Sequence, residues 1–100
     1  MDYRSRFADD DMDFLFDAIL SLEDKGECYR LFEDLCTIKE LKDMAQRLKV
    51  AKMLRNDKPY HEISEETHMS TATISRINKA LNYGSEGYAL VLDRTANKKQ

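Results

Sequence analysis

Tyr60-His61-Glu62-Ile63-Ser64-Glu65-Glu66-Thr67-His68-Met69-Ser70-Thr71-Ala72-Thr73-Ile74-Ser75-Arg76-Ile77-Asn78-Lys79-Ala80-Leu81 is the stretch on which the fold turns. It reads as two short helices joined by a tight turn. The first runs from Tyr60 to Thr67 with Ile63 on its inner face, and His68-Met69 makes the turn. Ser70 is a good N-cap for a second helix from Thr71 to about Asn82, whose apolar positions Ile74, Ile77 and Leu81 recur at helical spacing. Ser64 is small, as a close helix crossing requires, and Met69 is an apolar plug for the angle between the helices. Many units of this kind place glycine in the turn, where a left-handed backbone is wanted. Here the residue is His68, which tolerates that conformation better than a β-branched residue would.

This is the layout of a DNA-reading helix-turn-helix. The residues expected to face DNA are Ser70, Thr71, Ala72, Thr73, Ser75, Arg76, Asn78 and Lys79. Small side chains near a helix start let its backbone approach the duplex. Arginine bonds guanine bidentately, asparagine bonds adenine, and threonine and alanine methyls touch the thymine methyl. Hydroxyls and a helix N-terminus suit phosphate oxygens, and Lys79 is expected on phosphate rather than on a base. The bland alternative is a helical hairpin packed against protein only. Against it, the chain from Ser70 to Tyr83 carries Arg76 and Lys79 and no acid. The preceding helix holds Glu62, Glu65 and Glu66, so it is not expected to lie flat on phosphates.

Upstream, the pattern is helical from Asp11. Met12, Phe14, Leu15, Phe16, Ala18, Ile19, Leu20 and Leu22 cover an arc of roughly 240° on a helical wheel, about twice what a surface helix needs. Cover on more than one side is therefore expected, with a second copy of the chain as its source. A second helix from about Asp24 to Cys36 presents Cys28, Leu31, Phe32, Leu35 and Cys36 as a core stripe. Thr37 followed by Glu40 reads as a capping box that starts a long helix to about Asn56. Ile38, Leu41, Met44, Ala45 and Leu48 form its apolar stripe, extended by Val50, Met53 and Leu54. Pro59 ends that helix region, since it cannot continue an upstream hydrogen-bond ladder. Gly84 ends the recognition helix, and Tyr88, Leu90, Val91 and Leu92 suggest a short closing helix.

Composition agrees with helices. The 100 residues include three Gly and one Pro, too few for a turn-rich β-sandwich. Hydrophobic residues at 42% and charged residues at 35% exclude wholesale disorder, and no apolar run approaches a membrane span. The first residues run into acids rather than an apolar stretch, so a secretory signal is not expected and the protein is placed in the cytoplasm. The formal net charge of −3 hides a gradient: residues 1–36 carry −7 and residues 37–83 carry +3. Cys28 and Cys36 match neither a redox motif nor a zinc ribbon and are read as buried reduced thiols. His61 and His68 have no cysteine partners, so no metal and no cofactor are expected.

Residues 31–83, and above all Thr71-Ala72-Thr73-Ile74-Ser75-Arg76 behind the long helix from Thr37, resemble the Trp repressor superfamily, most closely its TrpR-like YerC/YecD branch. The resemblance implies an all-α, intertwined homodimer of about six helices per chain. Two helix-turn-helix heads would reach successive major grooves of a near-palindromic operator. It divides the chain into a flexible arm (1–10), a helical domain (11–93) and a flexible tail (94–100). Within the domain, 11–56 would form the dimerisation core and 60–82 the helix-turn-helix. In the Trp repressor an indole ligand sits between the long helix and the recognition helix. The corresponding pocket residues here are Thr37, Arg47, Arg76, Ile77 and Ala80. Ile77 replaces the glycine that leaves room for the ring, and Ala80 replaces a polar anchor, so tryptophan is not expected to bind in that manner. A different small effector is left open.

The function expected is therefore that of a sequence-specific transcriptional regulator, a repressor, whose partners are double-stranded DNA and a second copy of itself, with no membrane. The competing reading is a helical protein–protein interaction module without direct DNA binding, motivated by Asp9-Asp10-Asp11 with Asp13 and Asp17. Their more economical role is to stabilise a helix N-terminus. No catalytic pair and no glycine-rich phosphate loop occurs at a suggestive spacing, so an enzyme is not expected.

Overall fold

The computed structural model describes residues 3–96, and its order is six helices without a strand among those residues. They are α1 (Asp10–Leu20), α2 (Lys25–Leu35), α3 (Ile38–Arg55), α4 (Tyr60–Thr67), α5 (Thr71–Tyr83) and α6 (Gly87–Ala96). The chain divides into two compact units, one ending at Ile38 and one beginning at Lys39. That boundary falls inside the expected core of residues 11–56, at the start of the long helix.

In the first unit, both helices start on side-chain caps. The Asp9 carboxylate accepts from the Met12 backbone N–H at 2.8 Å, and Asp24 accepts from the Glu27 N–H at 2.9 Å. Each cap satisfies a backbone donor that has no partner within the helix. Asp10, Asp11 and Asp13 occupy the first turn of α1, where the helix dipole favours negative charge. The helix thus starts one residue before the expected Asp11. Neither helix buries a residue in the single chain: Phe14 is 74% exposed and Leu20 is 82% exposed. The expected core stripe of α2 is likewise half-buried at best, and Leu35 is exposed. Cys28 is an exposed free thiol and Cys36 a half-buried one, which corrects the expectation of two buried thiols. The physical reason is shared: the stripe exists, but this chain does not supply the surface that would close over it.

The second unit holds the core. Val50, Ala51, Met53, Ile63, Ile74, Ile77 and Leu92 are buried together, and Leu54, Tyr60, Met69, Leu81 and Tyr88 pack around them. Each fully buried aliphatic side chain here contributes about 1.5–3 kcal/mol. The core draws on the C-terminal half of α3 only. Val50 and Met53, read as an extension of the apolar stripe, are its buried part, whereas Ile38 and Leu48 of the stripe proper are exposed. Side-chain ties reinforce the packing. Lys49 of α3 pairs with Glu66 of α4 at 3.4 Å, and Gln46 reaches the Thr67 carbonyl at 3.5 Å. Arg55 pairs with Asp93 of α6 and also donates to the Ala89 carbonyl at 3.2 Å.

The closing helix is longer than the pattern of apolar residues suggested. It continues to Ala96, so residues 94–96 of the expected tail are helical, with the Thr95 hydroxyl bonded to the Val91 carbonyl at 2.8 Å. The rest of that tail, residues 97–100, and residues 1–2 of the expected arm lie outside the described residues.

Candidate nucleic-acid interface

The site is built on α5, and the turn before it sets its angle. α4 ends at Thr67, and His68 adopts φ 63° and ψ 17°, the left-handed conformation that a glycine would supply in other such turns. Its N–H bonds the Ser64 carbonyl at 2.8 Å. The hydroxyl of Ser64 donates to the Met69 carbonyl at 2.8 Å, bridging the turn. Thr67, buried, donates to the Ile63 carbonyl at 2.7 Å and accepts from the Met69 N–H at 3.3 Å. The corner is therefore held by two hydroxyls and a half-buried Met69 set against the core.

Ser70 then starts α5. Its hydroxyl oxygen accepts from the Thr73 N–H at 3.1 Å and its proton goes to Thr73 Oγ1, also at 3.1 Å. Thr73 keeps its own hydroxyl proton for an outside acceptor. Ile74 is fully buried and Ile77 is 4% exposed, so the helix is pinned along its back. The opposite side shows Thr71, Ala72, Ser75, Arg76 and Lys79 to solvent, with no acid in the first turn. Neither Arg76 nor Lys79 is paired with a carboxylate among the described residues, whereas Lys39, Lys49 and Arg55 are neutralised within the chain. Unpaired cations on a rigid, acid-free helix face can accept an external anion without first breaking an internal pair.

Two of the expected contact residues lie off the centre of this face. Thr73 and Asn78 are half-buried flanks. The Asn78 carbonyl and side-chain oxygens accept from Asn82 at 3.0 and 3.1 Å, and Asn78 borders a cleft with Arg55 and Asp57. Its placement turns it toward the end of α3 more than outward. Tyr83 was missed. It lies one and two helical turns beyond Lys79 and Arg76 on the same side and is exposed, and the usable signal was its spacing of seven from Arg76.

Of the five residues matched to a ligand pocket, Arg47 and Ala80 share a groove of about 480 Å³ with Met44, Leu48, Tyr88 and Val91. Arg76 and Ile77 do not line it: Arg76 is exposed to solvent and Ile77 is part of the core. Thr37 belongs to the other compact unit. Among the described residues no cluster of three or more His, Cys, Asp or Glu could hold a metal ion, and no helix is long and apolar enough to cross a membrane.

Comparison with known proteins gives consistent matches. The family of Trp repressor proteins matches residues 10–96. The uncharacterized protein YerC of Bacillus subtilis (strain 168) is 57% identical over 84 residues, which is 84% of this chain and 81% of that protein. The crystal structure of a TrpR-like protein from Eubacterium eligens superposes with a TM-score of 0.81 at 51% identity, covering 88% of this chain and 91% of that one. A Staphylococcus aureus structure, described as a candidate Trp repressor, gives a TM-score of 0.85 at 43% identity over 95% of both chains.

Proposed function

Because this chain belongs to the Trp repressor family, we propose that it is a DNA-binding transcriptional repressor that grips a near-palindromic operator as a homodimer. Membership of a repressor family points to regulation rather than catalysis. The observation that carries the proposal is the outward side of α5, where unpaired Arg76 and Lys79 stand beside Thr71, Ala72 and Ser75 on a helix pinned by Ile74 and Ile77. Arg76 reads a base edge, Lys79 neutralises phosphate, and the N-terminal hydroxyls and N–H groups bond phosphate oxygens. One head covers too few base pairs for selectivity, so two heads about 34 Å apart, one helical turn of DNA, share the operator. The unclosed apolar surface of α1 supports a second copy as the partner.

Tryptophan is not the switch. Ile77 occupies the core with its own side chain, and an indole placed there would have to displace a packed residue. The acids Asp10, Asp11 and Asp13, which motivated an interaction module, sit in a capped helix start and need no protein partner.

Selection of bound sequences from a random DNA pool, followed by gel shifts of the selected operator with Arg76→Ala, tests the reading. The variant is expected to bind roughly 10- to 100-fold more weakly, the range of one lost bidentate base contact. Equal binding of variant and parent overturns the assignment of α5 as the reading helix.

A further inference from the structure

Tyr83 is the most exposed large hydrophobic side chain among the described residues, at 84%. A tyrosine ring ordinarily hides its apolar body and leaves only its hydroxyl wet. This one hides neither, and its hydroxyl has no hydrogen-bond partner among the described residues. Its position is not arbitrary. Ala72, Arg76, Lys79 and Tyr83 follow one another at spacings of four, three and four, so they line a single side of α5. That is the side the buried Ile74 and Ile77 leave facing away from the protein.

We propose that Tyr83 is a positioning residue of the DNA interface, its phenolic hydroxyl donating to a phosphate oxygen where the C-terminal end of α5 meets the groove wall. The proposal rests on the DNA-binding reading above and adds the residue that fixes the depth and tilt of the helix. At about 1.5 Å per residue, Tyr83 stands about 16 Å along the helix from Ala72. A major groove is about 12 Å wide, so a helix that enters by its N-terminal end carries its other end over the sugar–phosphate rim. A base edge is out of reach there and a phosphate is within reach. Phosphate accepts a hydrogen bond from a neutral tyrosine and gains no charge neutralisation from it. The contact therefore positions without specifying and releases no counterion of its own.

Two features hold the ring at that place. α5 ends at Gly84, where the Gly84 N–H bonds the Ala80 carbonyl at 2.9 Å. An added Cβ at Gly84 would lie 2.5 Å from that carbonyl oxygen, so the tight end requires glycine for its close approach, its φ of −89° being open to any residue. The chain thus turns away directly behind Tyr83 and leaves the ring uncovered.

The test uses the full chain with Tyr83→Phe and Tyr83→Ala, titrated across a salt series against the selected operator and its single-base variants, with sedimentation run in parallel. Tyr83→Phe is expected to weaken binding about three- to tenfold, the scale of one hydrogen bond. The loss should be equal on operator and base variants, and the slope of affinity against salt should stay that of the parent. Tyr83→Ala should lose at least as much, and both should sediment as the parent does. Parent-like affinity of Tyr83→Phe, a loss confined to particular bases, or a changed sedimentation of either variant overturns the proposal while leaving the DNA-binding reading intact. A parent protein that enriches no sequence from the pool overturns that reading itself.

Discussion

Arg76 and Lys79 sit one turn apart on the same helix and carry the same charge, yet they are expected to fail differently when removed. A guanidinium forked onto guanine is tied to one base, so Arg76→Ala should cost about 1–3 kcal/mol of operator binding and relax the preference at one position. An ammonium on phosphate is tied to none. Lys79→Ala should weaken all sequences alike and lower the steepness of the log affinity against log salt plot by about 0.9. Titrations over a salt series, on operator and base variants, separate the two. His68 is the residue whose backbone conflicts with its side chain. Its left-handed φ of 63° costs a residue with a Cβ about 1–2 kcal/mol, part of which glycine would give back as unfolded-state entropy. His68→Gly is therefore expected to stabilise the protein by about 0.5–1 kcal/mol in urea unfolding, with operator affinity unchanged. Loss of stability would mean that the imidazole makes a contact worth more than the strain.

The helices differ in how far their local chemistry decides them. α5 is the clearest case: a serine cap, three inward aliphatic residues at helical spacing and a glycine stop bound it within one residue of the expected ends. Those signals are short-range, which is why they can be read without the rest of the chain. Ser70→Ala should consequently cost about 1 kcal/mol in urea unfolding, because it removes the acceptor of the Thr73 N–H and leaves the core untouched. α3 is the contrary case. Its apolar stripe is periodic from Ile38 onward, but only Val50, Ala51 and Met53 are buried in the chain. Periodicity tells which side of a helix is apolar and says nothing about where along its length a neighbour arrives. The same limit applies to Asn78, whose amide chemistry suits adenine but whose angle on the wheel carries it to the flank beside Asp57. Tyr83 escaped for a different reason: an aromatic at a helix end reads as a core residue until the neighbouring surface is known.

At the scale of the whole molecule, the exposed apolar side chains are the main unfinished business of the single chain. Phe14, Phe16 and Leu20 of α1 and Leu35 of α2 all stand open to solvent, on helices that bury nothing. Monomeric proteins seldom tolerate contiguous apolar patches beyond a few hundred Å². A second copy closes such surface without requiring any new sequence, and two-fold symmetry supplies the paired heads that operator reading needs. If the two copies fold together, stability must depend on protein concentration by mass action. The melting temperature is expected to rise with each tenfold increase in concentration, and sedimentation should give twice the chain mass. Phe14→Ser then discriminates between the possibilities. On an exposed monomer surface such a change shifts stability by no more than about 0.5 kcal/mol. At a closed interface it removes an aromatic from the shared core, where losses run to about 3–5 kcal/mol. The expected result is a chain that sediments more lightly, melts earlier and binds operator only at far higher concentration, although every residue of α5 is intact. A Phe14→Ser protein that matches the parent in mass, melting temperature and affinity would show that α1 is not the surface through which two chains meet.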